Sequence, residues 1–233
     1  MKEQQSPNAF DRLVSICHEV GRLYDPHLVF IGGIAVYLHT INAENLADLA
    51  EATKDADLYI SISGFSDLRD IEEVSANPRL SKHEFRKDGF SFDVYTERHA
   101  DLVIPYADVA SHAVEYDGVR VACPEHLLVL KLEAACDRKG SEHGRKDMKD
   151  IIRLMLFAQA GSFDAARCAA FLQDHHQAML ESIRKGPEFL ALALGNSKQA
   201  KEMRAKFALV LDRIKTAYET SPGAPPDAGS KPA

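Results

Sequence analysis

The chain has 233 residues, of which 45% are hydrophobic and 27% are charged, and its formal net charge is -7. These values are typical of an ordinary globular protein with one or two domains and a sizeable core. The negative charge argues against a protein that coats nucleic acid over its whole surface, although it leaves room for a local basic groove.

The four cysteines are widely spaced and form no Cys-x-x-Cys pair, which disfavours a zinc site and a disulfide framework. The first six residues lack the apolar core of a signal peptide. No apolar run is long enough to span a bilayer. We therefore expect a cytoplasmic protein with reduced thiols and no membrane partner.

The front of the chain predicts alternating helices and strands. Apolar residues recur at helical spacing over 7–24, and an all-apolar run over 28–31 indicates a strand buried on both faces. The pair Gly32-Gly33 then leads into a helix predicted over 33–52. Alternation of apolar and polar residues predicts the next strand over 55–63.

A helix and two hairpins are predicted next. The helix covers 65–74. Asp88-Gly89 separates two short strand patterns over 80–86 and 90–95, and Asp117-Gly118 divides the segment 114–121 in the same way. Asp-Gly between such patterns is typical of a tight β-hairpin turn.

Only helices are predicted after Pro124. Their ranges are 124–135, 147–160, 163–177, 178–194 and 198–218, and a Pro- and Gly-rich tail over 221–233 is expected to be disordered. The fold class is therefore α/β (or α+β) at the front with a helical C-terminal part. We divide the chain into a first domain over 1–160, with its N-terminal helix at 7–24 and its core at 28–160, followed by a helical region over 161–220.

Three aspartates mark the first candidate site. Asp55 and Asp57 are two residues apart on a strand, so their carboxylates point to the same face, and Asp93 lies on a strand expected nearby. Like charges this close repel one another unless a cation binds them, and Mg²⁺ prefers oxygen ligands. The turn at Gly32-Gly33 opens a helix whose N–H groups suit an anion. The alternative is that these acids are polar residues on half-exposed strands.

A basic group supplies the second candidate site: Lys131, Arg138, Lys139, Arg145 and Lys146. Lys131 and Arg138 are two helical turns apart and share a face if the helix extends that far. A metal and its carboxylates do not balance a triphosphate, so a nearby cation is needed. The alternative is a solvated basic loop, which we favour for Lys139 and Arg145. Asp147 and Asp150 either begin a helix or orient the basic residues.

The order of these motifs resembles the nucleotidyltransferase superfamily of the DNA polymerase β type. In that family a hydrophobic strand, Gly-Gly or Gly-Ser, a helix, Asp-x-Asp and a later strand Asp follow in this order. Within it the chain looks most like the small bacterial set that includes AbiE-type toxins. The matching segments are Gly32-Gly33-Ile34-Ala35, Thr53-Lys54-Asp55-Ala56-Asp57, Asp93, and the helices with Lys131, Arg138, Lys146-Asp147 and Asp150. The resemblance covers about residues 28–156.

The resemblance implies a small mixed nucleotidyltransferase sheet flanked by helices. It also implies an enzyme that uses Mg²⁺ (or Mn²⁺) to move a nucleoside monophosphate from an NTP to a hydroxyl of an acceptor. Its metal-binding and catalytic residues would be Asp55, Asp57 and Asp93. Its nucleotide-binding residues would be Gly32, Gly33, Thr53, Lys131, Arg138 and Lys146. The expected acceptor is tRNA, another RNA or a protein, and a toxin would have a cognate antitoxin.

Two departures from the family pattern support other readings. Ile34 stands where relatives carry a small or hydroxyl residue, and Glu51 stands where they carry an Arg. These substitutions favour a non-catalytic nucleotide- or protein-binding module of the same fold. A third reading is an aminoglycoside-type small-molecule nucleotidyltransferase, which an acidic acceptor cleft would favour because its acceptor is cationic.

Overall fold

The computed structural model describes residues 9–41, 43, 46, 49, 53, 55–77, 82–98 and 102–220. Their strands form a seven-stranded mixed sheet in the order β3-β4-β5-β2-β1-β7-β6. In chain order they are β1 (Leu28–Ile31), β2 (Asp55–Ile60), β3 (Ser75–Asn77), β4 (Lys82–Lys87), β5 (Phe90–Thr96), β6 (Val114–Tyr116) and β7 (Val119–Val121). The pairs β2/β5 and β1/β7 are parallel, and the other neighbours are antiparallel.

Helices flank this sheet and make up the C-terminal part. They are α1 (Ala9–Tyr24), α2 (Gly32–Thr40), α3 (Ile62–Ile71), α4 (Tyr106–Ser111), α5 (Pro124–Asp137), α6 (Glu142–Ala160), α7 (Ala165–Ala169), α8 (Asp174–Lys185), α9 (Glu188–Leu192) and α10 (Ser197–Thr220). The predicted fold class is confirmed. The division at residue 160 stays a prediction, and the tail over 221–233 lies outside the described residues.

Both predicted hairpins are present, with the turn chemistry that their sequences indicate. Asp88 and Gly89 have φ of 51° and 85°, and Asp117 and Gly118 have φ of 49° and 80°. Positive φ at both central residues is the type I′ turn, whose twist matches that of the flanking strands. Each Asp-Gly pair therefore fixes the register of its hairpin.

Several predicted element boundaries are wrong, and side-chain caps explain two of them. The strand predicted over 55–63 ends at Ile60, because Ser61 accepts a hydrogen bond from the Gly64 N–H and starts α3. The helix predicted from residue 147 starts at Glu142, because Ser141 caps it through the Gly144 N–H. Lys146 and Asp147 therefore lie on α6. The short edge strand β3 was not predicted.

The core lies between the sheet and the helices that pack on it. All four residues of β1 are buried, as the all-apolar run predicted. The buried face of α5 packs against α6, and α10 packs against α6 and α7. Among the described residues, no helix combines the length and the apolar character needed to cross a membrane.

Candidate functional site

The three aspartates predicted as a site lie on one face of two adjacent strands. In the parallel pairing of β2 with β5, Asp57 stands directly opposite Asp93, and Asp55 stands opposite Ser91. Side chains opposite each other in a sheet point to the same face, and Asp55 shares that face with Asp57. Asp93 is 9% exposed, whereas Asp55 is exposed. The sheet thus presents three carboxylates together.

Gly32 brings the start of α2 against this carboxylate group. It directly follows Ile31, which pairs with Asp57, and it has a φ of +69°. A Cβ atom at this position would lie 1.9 Å from Asp57 Oδ2 and 2.9 Å from Asp57 Cβ. Only glycine satisfies both conditions, so the close approach of the turn to Asp57 explains why glycine stands here.

One cavity of about 600 Å³ contains every residue predicted to form the site. Its lining includes Gly32, Gly33, Thr53, Asp55, Asp57, Asp93, Lys131, Arg138 and Lys146. The predicted site residues, which are spread over positions 32 to 146, therefore lie around one cavity. Their roles stay predictions. The same walls contain residues that the sequence did not assign to the site: Tyr95, Leu102, Leu130, Glu133, Ala134, Asp137 and His143.

Lys131 lies at the centre of a buried charge network between α5 and α6. Its Nζ is 3.1 Å from Asp147 Oδ1 and 2.9 Å from Asp150 Oδ2. Burial alone would lower the pKa of Lys131, but Asp150 and Asp147 outweigh it and raise the pKa. The lysine is therefore held as a cation. Asp150 also pairs with the buried Arg153 at 2.7 Å.

Arg138 is linked to the same network from the cavity side. Its Nη2 is 3.0 Å from Asp147 Oδ2, so Asp147 joins Lys131 to Arg138. The Arg138 side chain remains 47% exposed. Asp147 and Asp150 do orient the basic residues, which was one of the two alternatives the sequence offered. They do so from inside α6, with Asp147 more than a turn after its start.

Tyr95 lines the cavity beside the three aspartates. It is two residues after Asp93 and so shares its face of β5. Burial raises the pKa of the Tyr95 phenol, and the neighbouring carboxylates Asp57 and Asp93 raise it further. The phenol therefore stays protonated and offers a hydrogen-bond donor among acidic groups. Its spacing from Asp93 accounts for the shared face, and the fold brings that face into the cavity.

The two departures from the family pattern have different outcomes. Ile34 is completely buried in the core and is not part of the cavity lining. Glu51 lies outside the described residues. Thr53 is buried, and its single hydroxyl proton is shared between the Asp55 carboxylate and the Asp55 carbonyl oxygen. Thr53 thereby holds Asp55 at the cavity wall.

The donor chemistry of the three aspartates suits a divalent cation that prefers oxygen ligands. Asp57 and Asp93 come from directly opposed strand positions, so their carboxylates can share one ion, and Asp55 extends the set. The group contains only carboxylate oxygens, which suits Mg²⁺ and Mn²⁺ rather than Zn²⁺. Three adjacent anions repel one another, and a bound cation would relieve that repulsion.

Comparisons with solved structures show a known fold. An antigenic nucleotidyltransferase-like protein from Paracoccidioides brasiliensis is similar with a TM-score of 0.55 and 18% identity, over 81% of this chain and 94% of that one. JHP933 from Helicobacter pylori is similar with a TM-score of 0.50 and 16% identity, over 93% of this chain and 97% of that one. No protein-family model and no curated protein sequence matches the chain. At such identities the likeness concerns the fold alone, and closeness to AbiE-type toxins stays a prediction.

Proposed function

We propose that this chain, whose fold is that of nucleotidyltransferase-like proteins, moves a nucleoside monophosphate from an NTP to a hydroxyl of an acceptor. The observation that carries the proposal is the opposed pair Asp57 and Asp93, with Asp55 beside them, in the cavity that also contains Lys131, Arg138 and Lys146. Transfer of a nucleotidyl group needs carboxylates that bind a metal ion and cationic side chains that bind the phosphates, and it needs them in the same site.

Asp55, Asp57 and Asp93 would hold Mg²⁺ or Mn²⁺. When bound, the ion neutralises charge on the phosphates and on the leaving pyrophosphate. The first turn of α2 begins at Gly32 and carries no acidic residue, so its N–H groups and helix dipole favour a phosphate there. Arg138, held by Asp147 and still exposed, would contact phosphate oxygens.

Asp93 is the candidate base for the transfer step. The acceptor hydroxyl oxygen forms a bond to the α-phosphorus, and the bond from that phosphorus to the bridging oxygen of the β-phosphate breaks. Pyrophosphate leaves, and the hydroxyl proton passes to the Asp93 carboxylate. General base catalysis of this kind contributes about 10²- to 10⁴-fold.

Labelled-NTP turnover tests the proposal, with tRNA, other RNA, protein and aminoglycoside acceptors assayed in parallel. We expect Asp57→Asn and Asp93→Asn each to reduce labelling about 100-fold or more, because each keeps the side-chain size and removes a charge. Asp67→Asn, an exposed position on α3 outside the cavity lining, is the matched control. Equal labelling by the wild type and both cavity variants would refute the catalytic assignment.

The result also separates the other readings. Magnesium-dependent NTP binding without product on any acceptor would favour a non-catalytic module. Labelling of an aminoglycoside alone would favour a small-molecule enzyme. Growth arrest on expression, relieved by a co-expressed partner and absent in Asp57→Asn, is the expected behaviour of a toxin with a cognate antitoxin.

A further inference from the structure

Glu133 is a carboxylate of the cavity wall that the transfer step does not use. It lies on α5, and two consecutive histidines of α8 contact one of its oxygens. His176 Nε2 is 2.6 Å from Glu133 Oε2, and His175 Nε2 is 2.9 Å from the same atom. The His176 side chain is fully buried, so this clamp is anchored in the helical C-terminal part.

The protonation of this clamp can be assigned from its hydrogen bonds. The backbone N–H of Gln173 donates to His176 Nδ1 at 3.2 Å, so in the neutral ring the proton must be on Nε2. That Nε2–H therefore donates to Glu133. The three residues could hold a metal by distance alone, with ligand atoms within 4.8 Å of one another. The His176 tautomer instead favours a hydrogen-bonded clamp, because a metal would need a bare Nε2.

The clamp keeps Glu133 ionised and leaves one of its oxygens available. Burial would raise the pKa of Glu133, but the hydrogen bonds from His175 and His176 outweigh burial and lower it. Both histidines are hydrogen-bonded to Glu133 Oε2. Within the part of the chain that the structure describes, no donor is bonded to Oε1. Glu133 lines the cavity and its side chain is 24% exposed, so the cavity wall includes an ionised carboxylate acceptor.

Helix geometry places this acceptor opposite the cations of α5. At about 100° per residue, Lys131 and Arg138 lie on one flank of the cavity-facing stripe centred on Ala134, and Glu133 lies on the other. Glu133 is also only about 3 Å further along the helix axis than Lys131. A nucleotide whose phosphates lay against the cationic flank would have its ribose, the next group along, on the side of the acidic flank.

We propose that Glu133 recognises the sugar of the bound nucleotide, its Oε1 accepting a hydrogen bond from a ribose hydroxyl. The proposal rests on the nucleotide-binding function proposed above. A carboxylate is a suitable partner for ribose hydroxyls, which are donors, and is repelled by phosphates. Glu133 would therefore both favour nucleotides whose sugar carries a hydroxyl and exclude the triphosphate from this side of the cavity.

Direct binding tests the proposal without an acceptor. Each of the four NTPs is titrated into the full chain with MgCl₂, and the tightest binder is compared with its 2′,3′-dideoxy form. We expect the wild type to bind the dideoxy form about tenfold more weakly, the loss of one hydrogen bond to a charged group. The ratio of the dideoxy Kd to the NTP Kd should fall below about threefold in Glu133→Gln and in Glu133→Met. In Glu133→Gln the amide oxygen accepts from the histidines, so no oxygen remains for the sugar.

Glu142→Gln, an exposed acid at the start of α6 outside the cavity lining, is the control and should keep the wild-type ratio. Thermal melting establishes that each variant is folded. Wild-type protein that binds NTP and its dideoxy form equally would overturn the proposal for Glu133 and leave the proposed function intact. Variants that retain the ratio, or that change only the preference among bases, would also overturn it. No NTP binding by the wild type would refute both.

Discussion

Replacing Gly32 by alanine tests how closely the start of α2 approaches Asp57. The substitution forces an L-residue to adopt a φ of +69°. That conformation alone costs about 1–2 kcal/mol. The new Cβ would also lie 1.9 Å from Asp57 Oδ2 and 2.9 Å from Asp57 Cβ. Rotation of the Asp57 side chain can relieve only the first contact, so β2 or α2 must shift.

We expect the Gly32→Ala protein to lose about 2 kcal/mol or more of its free energy of unfolding. At about 2–4 °C per kcal/mol for a chain of this size, its melting temperature should fall by about 4 °C or more. Urea unfolding and thermal melting measure both quantities. Because Asp57 is displaced, Mg²⁺-dependent NTP binding should weaken as well.

Gly33 is a matched control in the next position of the chain. A Cβ there would have Thr53 as its nearest contact at 3.7 Å, an ordinary van der Waals distance. Gly33→Ala should therefore change stability by about 0.5 kcal/mol at most. In an Asp57→Ala background the damage from Gly32→Ala should shrink, since Asp57 Oδ2 and Asp57 Cγ, the two atoms nearest to the added Cβ, are gone. Equal stability of the two alanine variants would refute the steric argument.

Two further predictions concern buried charge. Burial lowers the pKa of His126 to about 4, and neither of its ring nitrogens has a hydrogen-bond partner among the described residues. The unfolded chain binds this proton from about pH 6.5 downward, so stability is fully present above that pH and falls by up to about 3 kcal/mol towards pH 4. Urea unfolding between pH 6.5 and pH 4 should show that the free energy of unfolding falls less in His126→Phe than in the wild type. If it falls equally in both proteins, His126 is not the group responsible. Lys131→Met deprives the buried Asp147 and Asp150 of their shared cation, and we expect it to destabilise the chain by about 3 kcal/mol at pH 7. An unchanged urea midpoint would show that these ion pairs do not hold α5 to α6.

The carboxylate face could be predicted because it depends on local periodicity. Asp55 and Asp57 share a face in any strand, and the same rule puts Asp93 and Tyr95 on one face of β5. The sequence could not supply the register that sets Asp57 against Asp93. That register depends on which strands pair, and it results from packing between segments more than thirty residues apart.

The cationic part of the site was predicted less completely because its geometry is set between helices. Lys131 was predicted as a member of the basic group, but its partners Asp147 and Asp150 come from α6. Ser141 starts that helix five residues earlier than the apolar periodicity indicated. The cap puts Asp147 inside the helix, where the packing of α6 on α5 directs it to Lys131.

The charge network assigns different tasks to the cations that the sequence treated alike. Two of the three N–H groups of Lys131 face Asp147 and Asp150, so most of its charge is already balanced inside the protein. Arg138 gives one interaction to Asp147 and keeps 47% of its side chain exposed to the cavity side. Lys131 therefore serves mainly to fix α6 against α5. Under the proposed function, Arg138, positioned through Asp147, is the one of the two that we expect to contact a phosphate.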